Sequence, residues 1–253
     1  MKIATWNVNS LKVRLPHLLD WLAAEQPDAV CLQELKLEDK AFPQAELEAV
    51  GYQAVFSGQK TYNGVAILSR QAPAEVVRGI PGFDDEQKRI IAETIGDVRL
   101  ICGYFPNGQA VGSDKFAYKL DWLAALTAWV KDELRQHPRL VLAGDFNIAP
   151  EDRDAHPGWK DEIHVSVPER DAFRALELLG LTDAFRLFDQ AANSFSWWDY
   201  RMNAFARNFG LRIDHLLISD PLVADCRRCW VDTAPRQLER PSDHAPVLIE
   251  LTR

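Results

Sequence analysis

An aspartate and an asparagine two residues apart, closing an apolar run, are the first place where this chain suggests chemistry. Leu140–Ala143 holds no polar residue, and Gly144-Asp145-Phe146-Asn147 follows directly. An unbroken apolar run of this length reads as a strand buried on both faces. Such a strand has no room for a carboxylate, so Asp145 belongs at its end. An extended backbone would send Asn147 to the same side as Asp145. A carboxylate and an amide aimed at one point suit phosphate-and-metal chemistry, in which one holds a cation or accepts a proton and the other donates or orients. Asp and Asn are also common turn residues, and this stretch alone leaves both readings open. Similar residues close other apolar runs: Asn7 in Trp6-Asn7-Val8-Asn9, Glu34 in Leu32-Gln33-Glu34, Tyr104 and Asn107 in Gly103–Gly108, Asp214 in Leu211–His215, and Asp243-His244 in Pro241–Pro246. Each has a plain alternative: a turn residue, a solvated strand end, a partner for Arg212, a core histidine. Polar, ligand-type residues at the ends of several strands are nonetheless what a catalytic pocket requires.

The elements that must position them follow from hydrophobic periodicity. Strand patterns cover Lys2–Val8, Ala29–Gln33, Tyr52–Ser57, Gly64–Ser69, Ile90–Ile95, Val98–Tyr104, Leu140–Asp145, Phe195–Trp198, Arg212–Ile218, Cys229–Asp232 and Ala245–Leu251. Helical spacing predicts Leu15–Ala24, Phe42–Val50 (ending at Gly51), Asp114–Gln136 and Val167–Leu179 (opening with Pro168 and ending at Gly180). Ser113 or Asp114 can cap the longest helix. Several strands arrive in succession between Tyr52 and Tyr104 without helices, which excludes a plain βαβ repeat and favours mixed sheets with helices packed outside them, an α/β layered sandwich. The polar segment Ala149–Val165 is long for a connection and reads as a functional loop. No repeat or flexible linker is evident, so a single domain over residues 1–253 is expected.

Composition sets the outer bounds. The chain has 253 residues, 47% hydrophobic and 26% charged, an ordinary globular balance that allows a sizeable core. A net charge of −8 argues against a general nucleic-acid coat but not against a nuclease, whose metal site adds carboxylates and whose groove can be locally basic. Of four cysteines, Cys31 and Cys102 lie in apolar runs. Cys226 and Cys229 spell CxxC, but no second pair or nearby histidine completes a zinc set, and on a regular strand positions three apart face opposite ways. The N-terminus opens on a strand pattern rather than a signal peptide. No apolar run nears the roughly 20 residues of a membrane span. A cytoplasmic protein without membrane attachment is expected.

Taken together, the motifs resemble the exonuclease III family of DNA repair nucleases, within the endonuclease/exonuclease/phosphatase superfamily. The matching stretches are Thr5–Arg14, Cys31–Lys36, Tyr62–Arg70, Gly103–Gly108, Lys115–Leu123, Gly144–Pro150, Ser196–Arg201, Gly210–Leu217 and Pro241–Val247, in family order over nearly the whole chain. The resemblance implies a four-layered sandwich of two packed mixed β-sheets flanked by helices. It implies Mg²⁺ as cofactor, with Mn²⁺ able to substitute, held principally by Glu34 with Asn7 close by. Asp243 would bind that metal through water or hold His244. Asp145 would orient or deprotonate the attacking water, Asn147 would hold water or a phosphate oxygen, and His244, paired with Asp214, would meet the phosphate as a cation. Tyr104 and Asn107 would contact the same phosphate. Duplex DNA with abasic sites or blocked 3′ ends is the implied partner of a monomeric enzyme. Arg14, Lys36, Lys60, Arg89, Lys115 and Arg201 are its candidate cationic contacts. Trp197, Leu211 and Ile213 match the apolar pocket for a sugar lacking its base.

One position departs from the family. Where many members have glycine, this chain has His164. A bulky, potentially cationic ring there could collide with DNA continuing past a lesion, or meet a terminal base or phosphate. The expectation is a bias toward 3′ termini, as 3′→5′ exonuclease and 3′-end-cleaning phosphodiesterase or phosphatase, with reduced incision at internal abasic sites. The alternatives are a full abasic-site endonuclease, a superfamily member acting on inositol phosphates or sphingolipids, and a catalytically dead DNA-binding module; the last would be expected to lack Glu34, Asp145, Asp214 or His244, and all four are present.

Overall fold

The computed structural model describes residues 1–252. Twelve strands form two six-stranded sheets. The first sheet contains β1 (Lys2–Asn7), β2 (Ala29–Gln33), β3 (Gln53–Ser57), β4 (Val65–Ser69), β11 (Cys226–Val231) and β12 (Val247–Leu251), in the order β11-β12-β1-β2-β4-β3. The second contains β5 (Ala74–Arg78), β6 (Ile90–Ile95), β7 (Val98–Tyr104), β8 (Leu140–Asp145), β9 (Leu181–Asp183) and β10 (Asp214–Ser219), in the order β5-β6-β7-β8-β10-β9. Each sheet has one parallel pair at its centre, β1–β2 in the first and β7–β8 in the second; all other pairings are antiparallel. A parallel pair needs a long crossover. Helix α1 (Leu11–Glu25) provides it for β1–β2 and α3 (Asp114–Gln136) for β7–β8.

Four layers result. Ile3, Cys31, Ile67, Ile91, Leu100, Val141, Leu216 and Ile249 pack in a core between the sheets. Leu18, Trp21 and Leu22 of α1 and Leu47 of α2 (Gln44–Ala49) cover the outer face of the first sheet. Trp122, Leu126 and Val130 of α3 and Phe173 and Leu176 of α4 (Val167–Glu177) cover that of the second. Both central pairs are therefore buried on two sides, which explains their unbroken apolar runs. The last helix, α5, is the single turn Asp220–Val223.

The sandwich and most elements match expectation; the departures have local causes. β5 and β9 carry no readable pattern: β5 is a bulged, mostly exposed edge and β9 has three residues. Phe195–Trp198 is not a strand, although Trp197 forms single bridges with Leu211 and His244. Helix α1 begins at Leu11, with Pro16 inside it rather than at its start. Ser113 is the cap of α3, its side chain accepting from Phe116 N at 3.2 Å. Cys226 and Cys229 do not face opposite ways. A register shift between Cys226 and Arg228 restores both thiols to the inter-sheet core. Among the described residues no helix is long and apolar enough to cross a membrane.

The pairing of β7 with β8 depends on two glycines in register, Gly103 and Gly144. A Cβ on Gly144 would lie 1.9 Å from the Gly103 carbonyl oxygen, a backbone atom that cannot turn aside. Gly144→Ala must therefore spread the strands where Asp145 emerges, and a loss of about 3 kcal/mol in urea unfolding is expected. Unfolding at the wild-type urea midpoint would contradict this close packing.

Candidate active site

Ligands of mixed sheets gather at the carboxyl ends of parallel strands, where the chain leaves the sheet. Both central pairs end on the same side of the sandwich. Strand register sets Tyr104 beside Asp145 and Asp145 beside Asp214, three neighbours in a row across β7, β8 and β10. Asn7 pairs with Gln33 across β1 and β2, leaving Glu34 one residue past the strand. The segment before β12 brings Asp243 and His244 between the two groups. Ser242 Oγ donates to Asn7 O at 2.6 Å, and Trp6 Nε1 donates to His244 O at 3.2 Å.

The centre is an ionised row. His244 Nδ1 donates to Asp214 Oδ2 at 2.9 Å, and its Nε2 lies 3.7 Å from Asp145 Oδ2. All three residues are buried. Burial alone would drive His244 toward its neutral form, but the charges of Asp214 and then Asp145 outweigh it and raise its pKa to about 10. Asp214 also accepts from Ser196 Oγ at 2.6 Å. Asp145 is pushed up to about 7, chiefly by burial and further by Asp214, while His244 and hydrogen bonds from Asn7 and Asn147 pull it down. A carboxylate poised near neutrality is suited to exchange a proton with water. The imidazolium beside it is suited to meet an oxyanion.

Asn147 explains why two readings of its stretch were open. Its backbone is left-handed (φ 51°), not extended, and its N–H donates to Asp145 Oδ1 at 2.9 Å. Asp145 therefore builds the turn and serves the site with the same carboxylate. The Asn147 amide donates to Phe105 O at 3.0 Å and lies 3.4 Å from Asp145 Oδ2. Asn107 Nδ2 donates to Asn147 Oδ1 at 3.3 Å. Tyr104 is held as a neutral phenol, its pKa raised by burial and then by Glu34, Asp145 and Asp243.

A second group lies toward β2. Lys36 Nζ sits 3.0 Å from Glu34 Oε1 and donates to Asn9 Oδ1 at 2.6 Å. Asn9 Nδ2 donates to Asp243 Oδ1 at 2.9 Å, and Asn9 N to Asn7 Oδ1 at 2.9 Å. Trp197 Nε1 donates to the other Asp243 oxygen at 3.0 Å. Asp243 is thus braced by Asn9 and Trp197 and does not hold His244; Asp214 does. Glu34 (φ 58°) and Lys36 (φ 55°) are both held in the strained left-handed region. The donors here are carboxylate and amide oxygens, and an ammonium already rests against them, which fits a hard divalent cation. Ligand atoms of Asp145, Asp214 and His244 also lie within 4.8 Å of one another. Those three do not fit a metal as well, because a protonated imidazole has no lone pair to give.

The remaining expected residues separate into two sets. Asn107, Arg89 and Lys115 line one cleft of about 680 Å³ with Tyr62 and Tyr118. Lys60 is exposed beside Gln59, another wall residue. Arg14 reaches Tyr200 Oη (3.0 Å) and Pro241 O (2.8 Å), a brace between loops, and Arg201 is exposed and paired with Asp199. Arg212 is not the partner of Asp214; it is buried against Asp154 and Asp183. Leu211 and Ile213 are buried in a small cluster against which Trp159 and Trp197 pack, and those two tryptophans line an adjoining cleft of about 340 Å³ with Met202 and Phe209. His164 is not a cationic ring over the groove. It is buried, and burial first, then the nearby Lys119 ammonium, bring its pKa down to about 4. Its Nδ1 donates to Asn147 O at 2.8 Å and its Nε2 lies 3.5 Å from Asn107 Nδ2. Sequence reasoning missed Asn9, Ser196, Trp159, Lys119 and Glu169. A lysine within the apolar stripe of α3 and the capping box Ser166–Glu169 were the available signals.

A buried carboxylate poised near neutrality, an imidazolium beside it and a set of hard oxygen donors suit the hydrolysis of a phosphodiester, the chemistry of a nuclease. The chain belongs to the endonuclease/exonuclease/phosphatase family, whose sequence profile matches residues 4–244. It is 38% identical over 266 residues to exodeoxyribonuclease III of Haemophilus influenzae, covering 99% of both chains. Among solved structures it is similar to the 3′ phosphatase NExo of Neisseria bound to a product DNA hairpin, with 51% identity, a TM-score of 0.97 and both chains fully covered. An AP endonuclease from Archaeoglobus fulgidus is also similar, at 37% identity and a TM-score of 0.95 over 99% of each chain.

Two outcomes follow from the electrostatics. Folding penalises the ionised form of Asp145, a cost that grows as pH rises from about 4 toward 7 and then stays constant. Asp145→Asn removes that cost; its thermal midpoint at neutral pH should equal or exceed the wild type's, while turnover falls by about 10²–10⁴. Retention of full activity would remove Asp145 from this role. His244 keeps its proton until pH rises through about 10. Asp214→Asn withdraws the largest upward push, so the high-pH limb of kcat/KM should move down toward neutrality; superimposable limbs would contradict the pairing.

Proposed function

We propose that this protein is a Mg²⁺-dependent DNA repair nuclease that acts mainly at the 3′ ends of duplex DNA. It would remove 3′-phosphate and other blocking groups and excise nucleotides 3′→5′, with weak incision at internal abasic sites. The observation that carries the reading is the Asp145–His244–Asp214 row, joined through Asn147 and Asn107 to the cleft that also holds Arg89 and Lys115. Asp145 takes a proton from the attacking water. His244, cationic on account of Asp214, and the amides of Asn147 and Asn107 meet the phosphate oxygens, where negative charge grows. Glu34, with Asn7 and Asp243, would hold a Mg²⁺, whose charge when bound would offset that of the phosphate and of the departing oxygen. Arg89 and Lys115 contact the DNA backbone, which carries no sequence information.

The bias toward ends rests on the loop after β8. Trp159 meets Trp197 edge-on with ring centroids 6.0 Å apart, and both cover Leu211 and Ile213. A sugar lacking its base could reach Leu211 and Ile213 only by displacing the two tryptophans, whereas a chain end needs no contact there. His164 (φ 74°) bears on this from beneath, its carbonyl accepting from Ala149 N at 2.7 Å. The similarity to a Neisseria 3′ phosphatase supports the same preference.

Duplexes with a 3′-phosphate and with an internal abasic site, assayed with Mg²⁺ and with EDTA, test this. Release of the 3′-phosphate should exceed internal incision at least about tenfold, a barrier difference of about 1.4 kcal/mol. Chelation should abolish both activities, and His164→Gly should narrow the gap. Efficient internal incision by the wild type would make it a general abasic-site endonuclease instead.

A further inference from the structure

We propose that the buried ion pair Lys119–Glu169 is the positioning device for Asn107 and Asn147, acting through their main-chain carbonyls. This rests on the reading that these two asparagines hold the substrate phosphate. Both charged side chains are completely buried. Neither faces the cleft, so any effect on the reaction passes through other residues.

The ammonium has three N–H donors, and each has one acceptor. Nζ donates to Asn107 O at 3.2 Å, to Asn147 O at 2.8 Å and to Glu169 Oε1 at 2.5 Å. The carboxylate is equally full. Its Oε1 also accepts from His164 N at 3.1 Å, and its Oε2 accepts from Ser166 N at 3.1 Å and Ser166 Oγ at 2.6 Å. One pair thereby joins α3, the start of α4, the loop after β7, the loop after β8 and the turn at His164. Tying α3 to α4 would need the ion pair alone. The two bonds to loop carbonyls serve neither helix; they set how far apart Asn107 and Asn147 stand.

The stem of Lys119 fixes the same loop a second time. A Cβ on Gly108 would lie 3.0 Å from Lys119 Cδ and 3.2 Å from Ile163 Cδ1, so the Asn107–Gly108 loop sits directly on that stem. The side chains above are joined in turn, with Asn107 Nδ2 donating to Asn147 Oδ1 at 3.3 Å. An apolar pair of matched volume often stabilises a core as well as a buried ion pair does. What such a pair lacks is the set of aimed donors, so stability and phosphate binding should separate under substitution.

The test compares Lys119→Met, Glu169→Leu and the double variant by thermal melting, by calorimetric titration with inorganic phosphate, and by kcat and KM on a 3′-phosphate duplex. Each single variant leaves a lone buried charge and should melt lower. The double variant removes both charges and should melt above either single variant, though below the wild type, because the carbonyls of Asn107 and Asn147 and the N–H groups of His164 and Ser166 lose their partners. It should still bind phosphate more weakly, and show a raised KM, by on the order of tenfold to a hundredfold. Wild-type phosphate affinity and KM in a folded double variant would overturn the proposal. Should the double variant not fold, Glu169→Gln keeps the volume while loosening the hold on Lys119, and unchanged phosphate affinity there would overturn it equally. A wild type that neither binds phosphate nor releases it from DNA would instead sink the phosphate reading of the asparagines, and the proposal with it.

Discussion

Two carboxylates and an imidazolium are held together out of water, and much of the fold serves that arrangement. Asp145 and Asp214 stand side by side because β8 and β10 pair in that register. Left alone, two buried carboxylates at that spacing would resist ionising together. His244 relieves the conflict by bonding to one and facing the other. The histidine comes from the segment before β12, in the other sheet. The electrostatic balance of the site therefore depends on the two sheets being docked, and the inter-sheet core of aliphatic side chains is what docks them.

The supporting contacts show how far the surroundings go to keep these groups in place. Ser196 Oγ donates to Asp214 and accepts from the backbone N–H of both Ile213 and Asp214. Asn7 and Asn147 each give Asp145 a hydrogen bond. Glu34, Lys36, Asn147 and His164 all adopt left-handed backbone. Such conformations persist only where the surroundings over-determine them, and they gather at functional sites. Here they surround the carboxyl ends of the two parallel pairs.

Much of this was legible in the sequence because its signals are local. An apolar run followed by Asp145, Glu34 or Asn7 declares a strand end and a ligand-type residue within a few positions. What was not legible depends on partners distant in the chain or on backbone irregularity. Asp145 was open between turn and site because one carboxylate both closes the turn at the left-handed Asn147 and faces His244. The CxxC pair appeared split between faces because a bulge has no reliable signature. His164 read as a surface cation because nothing local says that Lys119 and Glu169 will enclose it. Leu211 and Ile213, expected to line an apolar pocket, are buried instead, and the neighbouring cleft is walled by Trp197 and by Trp159, from a loop whose path no periodicity describes.

The strand order has a consequence for how the protein is made. β12 lies between β1 and β11, and the amino group of Met1 donates to Leu251 O at 2.6 Å. His244 reaches its station only when the segment that leads into β12 is threaded beside the strand synthesised first. A ribosome-bound chain that has completed the second sheet already carries Asp145 and Asp214, yet lacks the cation that completes the row. The row is thus completed only when the last strand of the chain takes its place beside the first.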